Sequence, residues 1–198
     1  MSRIEALQRR YAQIEAEIGA MWPEKFVSGC SACTEICCRP HMADEVLHSF
    51  WLNELAVKAH GKNWHLDHHH THCAALSDTG CLLKAGKPPF CFAFYCDSLL
   101  GSIPPVTLVS YLFLSLILSD LCRLDKRRNL QTMTAEEVYQ SLDAVEAKIV
   151  NAERHLGIYR QFLDAETSSQ PLLAIQMLAE IPQILSASAR RTIMAALR

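Results

Sequence analysis

Eight of the nine cysteines in this 198-residue chain fall between positions 30 and 96, in two groups. Cys30, Cys33, Cys37 and Cys38 make up the first; Cys73, Cys81, Cys91 and Cys96 make up the second. A C-x2-C element lets two thiolates turn toward one metal, and it recurs in zinc and iron–sulfur sites. Cys37 follows at about one further helical turn, so three thiolates of the first group can converge. Adjacent Cys37 and Cys38 cannot easily face one centre together, and the pair implies either a second centre or a bridge. In the second group, Gly80 frees the backbone beside Cys81, and Lys87-Pro88-Pro89 stiffens the approach to Cys91. The aromatics Phe90, Phe92, Phe94 and Tyr95 are placed to shield a site from water and so tune a bound metal.

Eight thiolates give two sets of four. Two tetrahedral zinc sites, one zinc with one iron–sulfur cluster, or a single cluster (a four-iron cluster among the forms allowed) with four cysteines left over all satisfy that count. A zinc held by four thiolates would carry net negative charge, which Arg39, Lys84 and Lys87 could offset. Two plainer readings compete: reduced cysteines packed as small hydrophobes, and a disulfide framework. The charged N-terminal residues lead into no apolar run of the signal-peptide kind. The chain therefore reads as cytoplasmic, where disulfides are rare and a dense cysteine pattern points to metal or redox chemistry. Cys122, within an apolar stretch, reads as ordinary core.

The spacing resembles that of the YkgJ-type cysteine cluster family, described as zinc- or iron-chelating domains. Its motif opens with C-x2-C-x2-C-C; here Cys30, Cys33, Cys37 and Cys38 follow it with one extra residue before Cys37. Cys73 with Leu76, Gly80-Cys81, Lys87-Pro88 in place of an Arg-Pro, and Cys91 with Phe94 match the later elements in order, while Lys84 stands where a Tyr is usual. The resemblance covers about residues 30–96. It implies metal binding, by zinc or by an iron–sulfur cluster. A flagellin lysine methylase that resembles the same family is associated with an iron–sulfur cluster, which strengthens the iron reading without carrying that activity to this chain.

Three functional readings follow. The favoured one is a cysteine cluster protein whose thiolates hold an iron–sulfur cluster or zinc. In the second, zinc only staples the loops and a helical face binds a protein partner. In the third, an iron–sulfur cluster serves redox chemistry or protein modification directly. The run His65-Leu-Asp-His68-His69-His70-Thr-His72 offers imidazoles beside Cys73, although a solvated polar loop explains it as well. His41 is a weaker spare ligand. The order C-x2-C-x3-C is the reverse of the radical-type C-x3-C-x2-C, and no Gly-rich phosphate or dinucleotide loop is present. A net charge of −2 gives no electrostatic footprint for nucleic acid.

What must position these cysteines is helical. Half the residues are apolar and a fifth charged, an ordinary balance for a chain able to bury its own core. Ile4, Leu7, Tyr11, Ile14, Ile18 and Met21 recur at three-four spacing, an amphipathic helix that Pro23 closes. A second helix is expected from about Ala43 to His60, carrying Val46, Leu47, Phe50, Trp51 and Leu55 and ending at Gly61. A third follows Pro104-Pro105. Its apolar run, Val106 to Leu121, is broken by Ser110, Ser115, Ser119 and Asp120, which suits a buried helix better than a membrane span of ~20 apolar residues. Arg123, Lys126, Arg127 and Arg128 would complement its C-terminus.

A fourth helix opens on Thr134 and Glu137, spaced as a capping box, and continues through Val138, Leu142, Val145, Ile149, Ala152, Leu156, Tyr159 and Leu163. Shorter helices are expected near Leu172–Ile181 and Ala189–Leu197, parted near Pro182. No strand alternation is evident. The long stretch from Asn63 to Pro105 has no sustained period, and metal ligation is a direct way to order it. The expectation is a mainly α, bundle-like single domain over 1–198, with cysteine-bearing loops organised around metal at about 26–100 and a helical part at about 104–198.

Overall fold

In the computed structural model, the described residues are 1–21, 38, 40–61, 64, 66, 73–77, 80–93 and 105–167. Among them are seven helices and one small hairpin: α1 (Arg3–Ala20), α2 (Pro40–His48), α3 (Phe50–His60), β1 (Leu76–Ser77), β2 (Gly80–Cys81), α4 (Pro89–Ala93), α5 (Pro105–Cys122), α6 (Ala135–Gln140) and α7 (Leu142–Thr167). The mainly α expectation holds, and the described helices carry it. The expected helices at 172–181 and 189–197 lie outside the described residues.

α1 begins with a capping box. The Ser2 hydroxyl accepts from the Glu5 N–H, and the Glu5 carboxylate accepts from the Ser2 N–H. Its stripe, Ile4, Leu7, Tyr11, Ile14 and Ile18, is buried as the spacing predicts. Burying each such side chain is worth roughly 1.5–3 kcal/mol, far more than the cap.

The charged residues of α1 and α7 do not simply face solvent. Arg3 pairs with Asp143 and Glu146 at 2.6 and 2.7 Å, Arg10 makes a two-pronged pair with Glu153 at 2.9 and 2.7 Å, and Arg160 Nε donates to Glu17 at 2.7 Å. Partner numbers rise together, at seven-residue steps, so α1 and α7 run parallel. Exposed pairs of this kind contribute little stability each; their effect is on register, as at the flanking positions of a coiled coil.

α5 is the central helix. Phe113, Leu114, Ile117, Leu118, Leu121 and Cys122 are all buried. It runs antiparallel to α7, because Phe113 stacks on Tyr159 (ring centroids 5.7 Å apart) while Asp120 takes Lys148 at 2.7 Å. Two of the polar residues interrupting its apolar run, Ser115 and Asp120, have partners. Asp120 fixes α7, and the Ser115 hydroxyl donates to the Phe92 carbonyl, pinning α4. No helix among the described residues is long and apolar enough to cross a membrane.

Three expectations need correction. The helix expected from Ala43 to His60 is two helices, broken at Ser49. That fully buried hydroxyl accepts from Leu52 N–H at 3.1 Å, capping α3, and donates to the Leu130 carbonyl at 2.9 Å. The fourth expected helix also divides, at Ser141, where α6 ends and α7 begins. The basic cluster after α5 lies beyond its last turn: Asp125 gathers the N–H groups of Arg127 and Arg128 and the Arg128 guanidinium into a tight turn. Those hydrogen bonds hold the Asp125 carboxyl down at about 2. Replacing Ser49 by Ala removes a cap and strands a buried carbonyl. Urea denaturation of S49A should show a loss of about 2 kcal/mol, and a loss within a few tenths would mean that the break between α2 and α3 does not depend on this hydroxyl.

Candidate metal centre and its anchor

Cys38, Cys73, Cys81 and Cys91 are described; Cys30, Cys33, Cys37 and Cys96 lie outside the described residues. The two cysteine groups meet through the backbone, where the Cys73 N–H donates to the Cys38 carbonyl at 2.8 Å. From Cys73 the chain turns at once, with Leu76 N–H bonded to the Cys73 carbonyl at 3.0 Å, and enters the hairpin. β1 and β2 pair antiparallel with Leu76 opposite Cys81 and Ser77 opposite Gly80, and Leu82 N–H closes on the Ala75 carbonyl at 2.7 Å. The hairpin returns Cys81 toward Cys73. It is an element the sequence reading did not foresee, since two-residue strands are too short to alternate. α4 then carries Cys91, whose N–H bonds to the Pro88 carbonyl at 2.9 Å.

Cys73 is buried, Cys38 and Cys91 half-buried, and Cys81 exposed. Burial is the main force pushing the Cys91 thiol up, and the neighbouring thiols of Cys81, Cys73 and Cys38 add to it, with Lys87 opposing. Burial likewise raises Cys73, against which its sulfur accepts hydrogen bonds from the N–H groups of Ala75 and of Ala43 in the first turns of α2. N–H donors of this kind stabilise a thiolate. None of the five described cysteines is in a disulfide. Among the described residues, no three His, Cys, Asp or Glu side chains stand in an arrangement that could hold a metal ion. The donor types therefore suit a thiophilic metal, while the described half of the set does not by itself form a complete site.

Other expected participants are dispersed. His65 and His68 to His72 lie outside the described residues, as do Arg39, Phe94 and Tyr95. His41 lies on α2 and lines a recess of about 450 Å³ with Phe90 and Arg123. Phe90 is exposed rather than shielding, whereas Phe92 is buried and carries the Lys87 ammonium 5.6 Å from its ring centroid. The exposed Lys84 donates its N–H to His60 Nε2 at 3.0 Å, and His60 stacks on Trp64. Cys122 is core, as expected. Its sulfur lies 2.9 Å from the Tyr11 hydroxyl, and burial raises its thiol to about 12.

What sequence reasoning missed is the anchor of this region. Glu15, on the buried face of α1, is 3 % exposed. Its two oxygens accept the N–H groups of Gly86 and Lys87, each at 2.8 Å. Gly86 has φ +77°, and a Cβ there would collide with the Leu52 carbonyl oxygen, so only glycine lets the chain pass this close to α3. Leu83 and Ala85 are buried on either side of Lys84. The signal for Glu15 was available: Gln8 and Glu15 sit seven apart, each next to an apolar stripe residue of α1, where a solvated face was not due to begin.

Burial pushes the Glu15 carboxyl up from 4.5 to about 7, opposed by the hydrogen bonds from Lys87 and Gly86 and by the Lys87 charge. The folded protein thus holds this proton more tightly than the unfolded chain, and Glu15's contribution to stability is lost as pH rises from about 4.5 to about 7. His155, 2 % exposed and lowered by burial from 6.5 to about 4, acts with the opposite sign, favouring the folded state as pH rises between those values. Comparing E15Q with the parent cancels the His155 contribution. The stability of E15Q relative to the parent should improve by on the order of 1–3 kcal/mol between pH 4.5 and pH 7.5. Denaturant titrations at the two pH values check this, and a constant difference would show that Glu15 does not titrate there.

Compared with known proteins, the chain matches no family model, no curated protein and no solved structure.

Proposed function

We propose that this chain is a metal-binding cysteine cluster protein of the YkgJ type, holding an iron–sulfur cluster or zinc through cysteine thiolates in a reducing, cytoplasmic setting. The observation that carries the reading is the hydrogen bond from Cys73 N–H to the Cys38 carbonyl. It joins two cysteine groups remote in sequence, at a point where the hairpin also returns Cys81. The backbone N–H groups that favour the Cys73 thiolate and the free state of the five described cysteines support the same reading.

A bound iron–sulfur cluster would supply one-electron transfer; zinc would supply only a clamp on the loops. The second is the interaction-module reading, and what favours it is the anchoring of the hairpin's exit segment in the core by Glu15, Leu83 and Ala85.

Anaerobically purified protein should contain stoichiometric metal. A brown preparation absorbing near ~400 nm identifies iron–sulfur, whereas colourless protein with zinc sinks both iron readings. Replacing Cys30, Cys33, Cys37, Cys38, Cys73, Cys81, Cys91 or Cys96 singly by Ser should lower the metal content wherever the replaced thiolate is a ligand. Metal content unchanged in all eight variants would refute the ligand assignment.

A further inference from the structure

Cys38, Cys73, Cys81 and Cys91 differ in how far each can be reached from solvent. Cys73 is 6 % exposed and belongs to the core. Cys38 and Cys91 are half-buried and pack against that core. Cys81 is exposed. It stands on β2, and the residue after it, Leu82, is 49 % exposed.

Cys81 is also a neighbour that two of the less accessible thiols share. At Cys91 its influence comes next after burial, and at Cys73 it follows burial and the Ala75 N–H. The backbone on both sides of Cys81 is fixed. Leu82 N–H bonds to the Ala75 carbonyl at 2.7 Å, two residues beyond Cys73. Farther along, Glu15 holds the N–H groups of Gly86 and Lys87, on the way to Cys91. One exposed thiol is thus held near two covered ones by anchored chain. The reactivity of a thiolate follows its exposure. A hydrated metal ion is small enough to reach a half-buried sulfur. A metal already wrapped by another molecule's thiolates is bulky, and only an exposed sulfur can touch it.

We propose that Cys81 is the thiol through which this chain takes metal from a thiolate-bound donor. This step rests on the metal-binding reading. The Cys81 sulfur forms a bond to the metal, one donor sulfur leaves, and the Cys81 proton passes to the departing thiolate. No electron is transferred and no further reactant is needed. Cys73 and Cys91 belong to the same anchored stretch, so they meet the captured metal at high effective concentration and displace further donor sulfurs. Their burial then shuts the donor out.

The test offers zinc to the reduced, metal-free full-length chain from two sources, a synthetic four-cysteine peptide and zinc chloride, and follows its uptake over time. From the peptide, C81S should start at least about tenfold more slowly than the parent. C73S and C91S should start within about threefold of the parental rate and end with less zinc. From zinc chloride, C81S should start at close to the parental rate, with circular dichroism unchanged. Iodoacetamide gives a measurement that needs no metal: mapped by mass spectrometry, Cys81 of the folded chain should be alkylated at least about tenfold faster than Cys73. Undiminished transfer from the peptide in C81S, equal slowing of C81S from both sources, equal slowing in C73S and C91S, or Cys73 alkylated as fast as Cys81 would each overturn the proposal. The metal reading survives any of these if zinc chloride loads the parent. A parent that takes zinc from neither source sinks the metal reading, and this proposal with it.

Discussion

The carboxylate of Glu15 stands where a helical core meets a segment with no regular structure of its own. α1 brings it to the protein interior, and the chain between β2 and α4 offers it two consecutive backbone N–H groups. A charge buried to this degree is costly unless its lone pairs are used. The arrangement persists because both partners are supplied by backbone that would otherwise be unsatisfied. The stretch between β2 and α4 is placed through that contact. Gly86 must be glycine to approach α3, Leu83 and Ala85 turn inward, and α4 is delivered to α5, where Ser115 receives it.

The helices form a support with polar contacts at its decision points. Tyr11 packs edge-on against Trp51 of α3 and offers its hydroxyl to Cys122 of α5, so one aromatic residue of α1 holds two neighbouring helices. Asp120 and Ser115 interrupt an apolar helix only where each meets a partner. Ser49 stops one helix and starts another while tying both to the loop before α6. Each of these replaces a solvent interaction with a directed one inside the core, which specifies geometry more than it adds stability.

Much of this was legible in the sequence. The apolar stripes of α1 and α7 and the capping boxes at Ser2 and Thr134 follow from spacing alone, because burial and capping act over one or two turns. The division of the second and fourth expected helices at Ser49 and Ser141 was not legible. Serine within an apolar periodicity reads equally as a tolerated interior residue, and it is the distant Leu130 carbonyl that decides for Ser49. At the candidate centre, cysteine spacing raised the expectation of metal, but the hairpin pairing and the Cys73–Cys38 bond depend on contacts between remote segments. Glu15 and Gln8 carried a weaker signal, each beside a stripe residue of α1, while their partners Gly86, Lys87 and Lys58 come from remote segments that spacing does not reveal.

The parallel alignment of α1 with α7 bears on how the chain acquires its fold. The partners of Arg3, Arg10 and Glu17 lie at positions 143 to 160, so α1 is matched to a helix made about 140 residues later. Contacts so remote in sequence slow folding, because loop closure must precede their reward. During synthesis the apolar stripe of α1 waits for α7 on the order of 10 s at typical elongation rates. Throughout that interval Ile4, Leu7, Tyr11, Ile14 and Ile18 have no final partner on α7, and the nascent chain depends on α3 and α5, or on a chaperone, to cover them. Maturation of the cysteine segment is bound to the same schedule, since the carboxylate that anchors it belongs to the helix that is waiting.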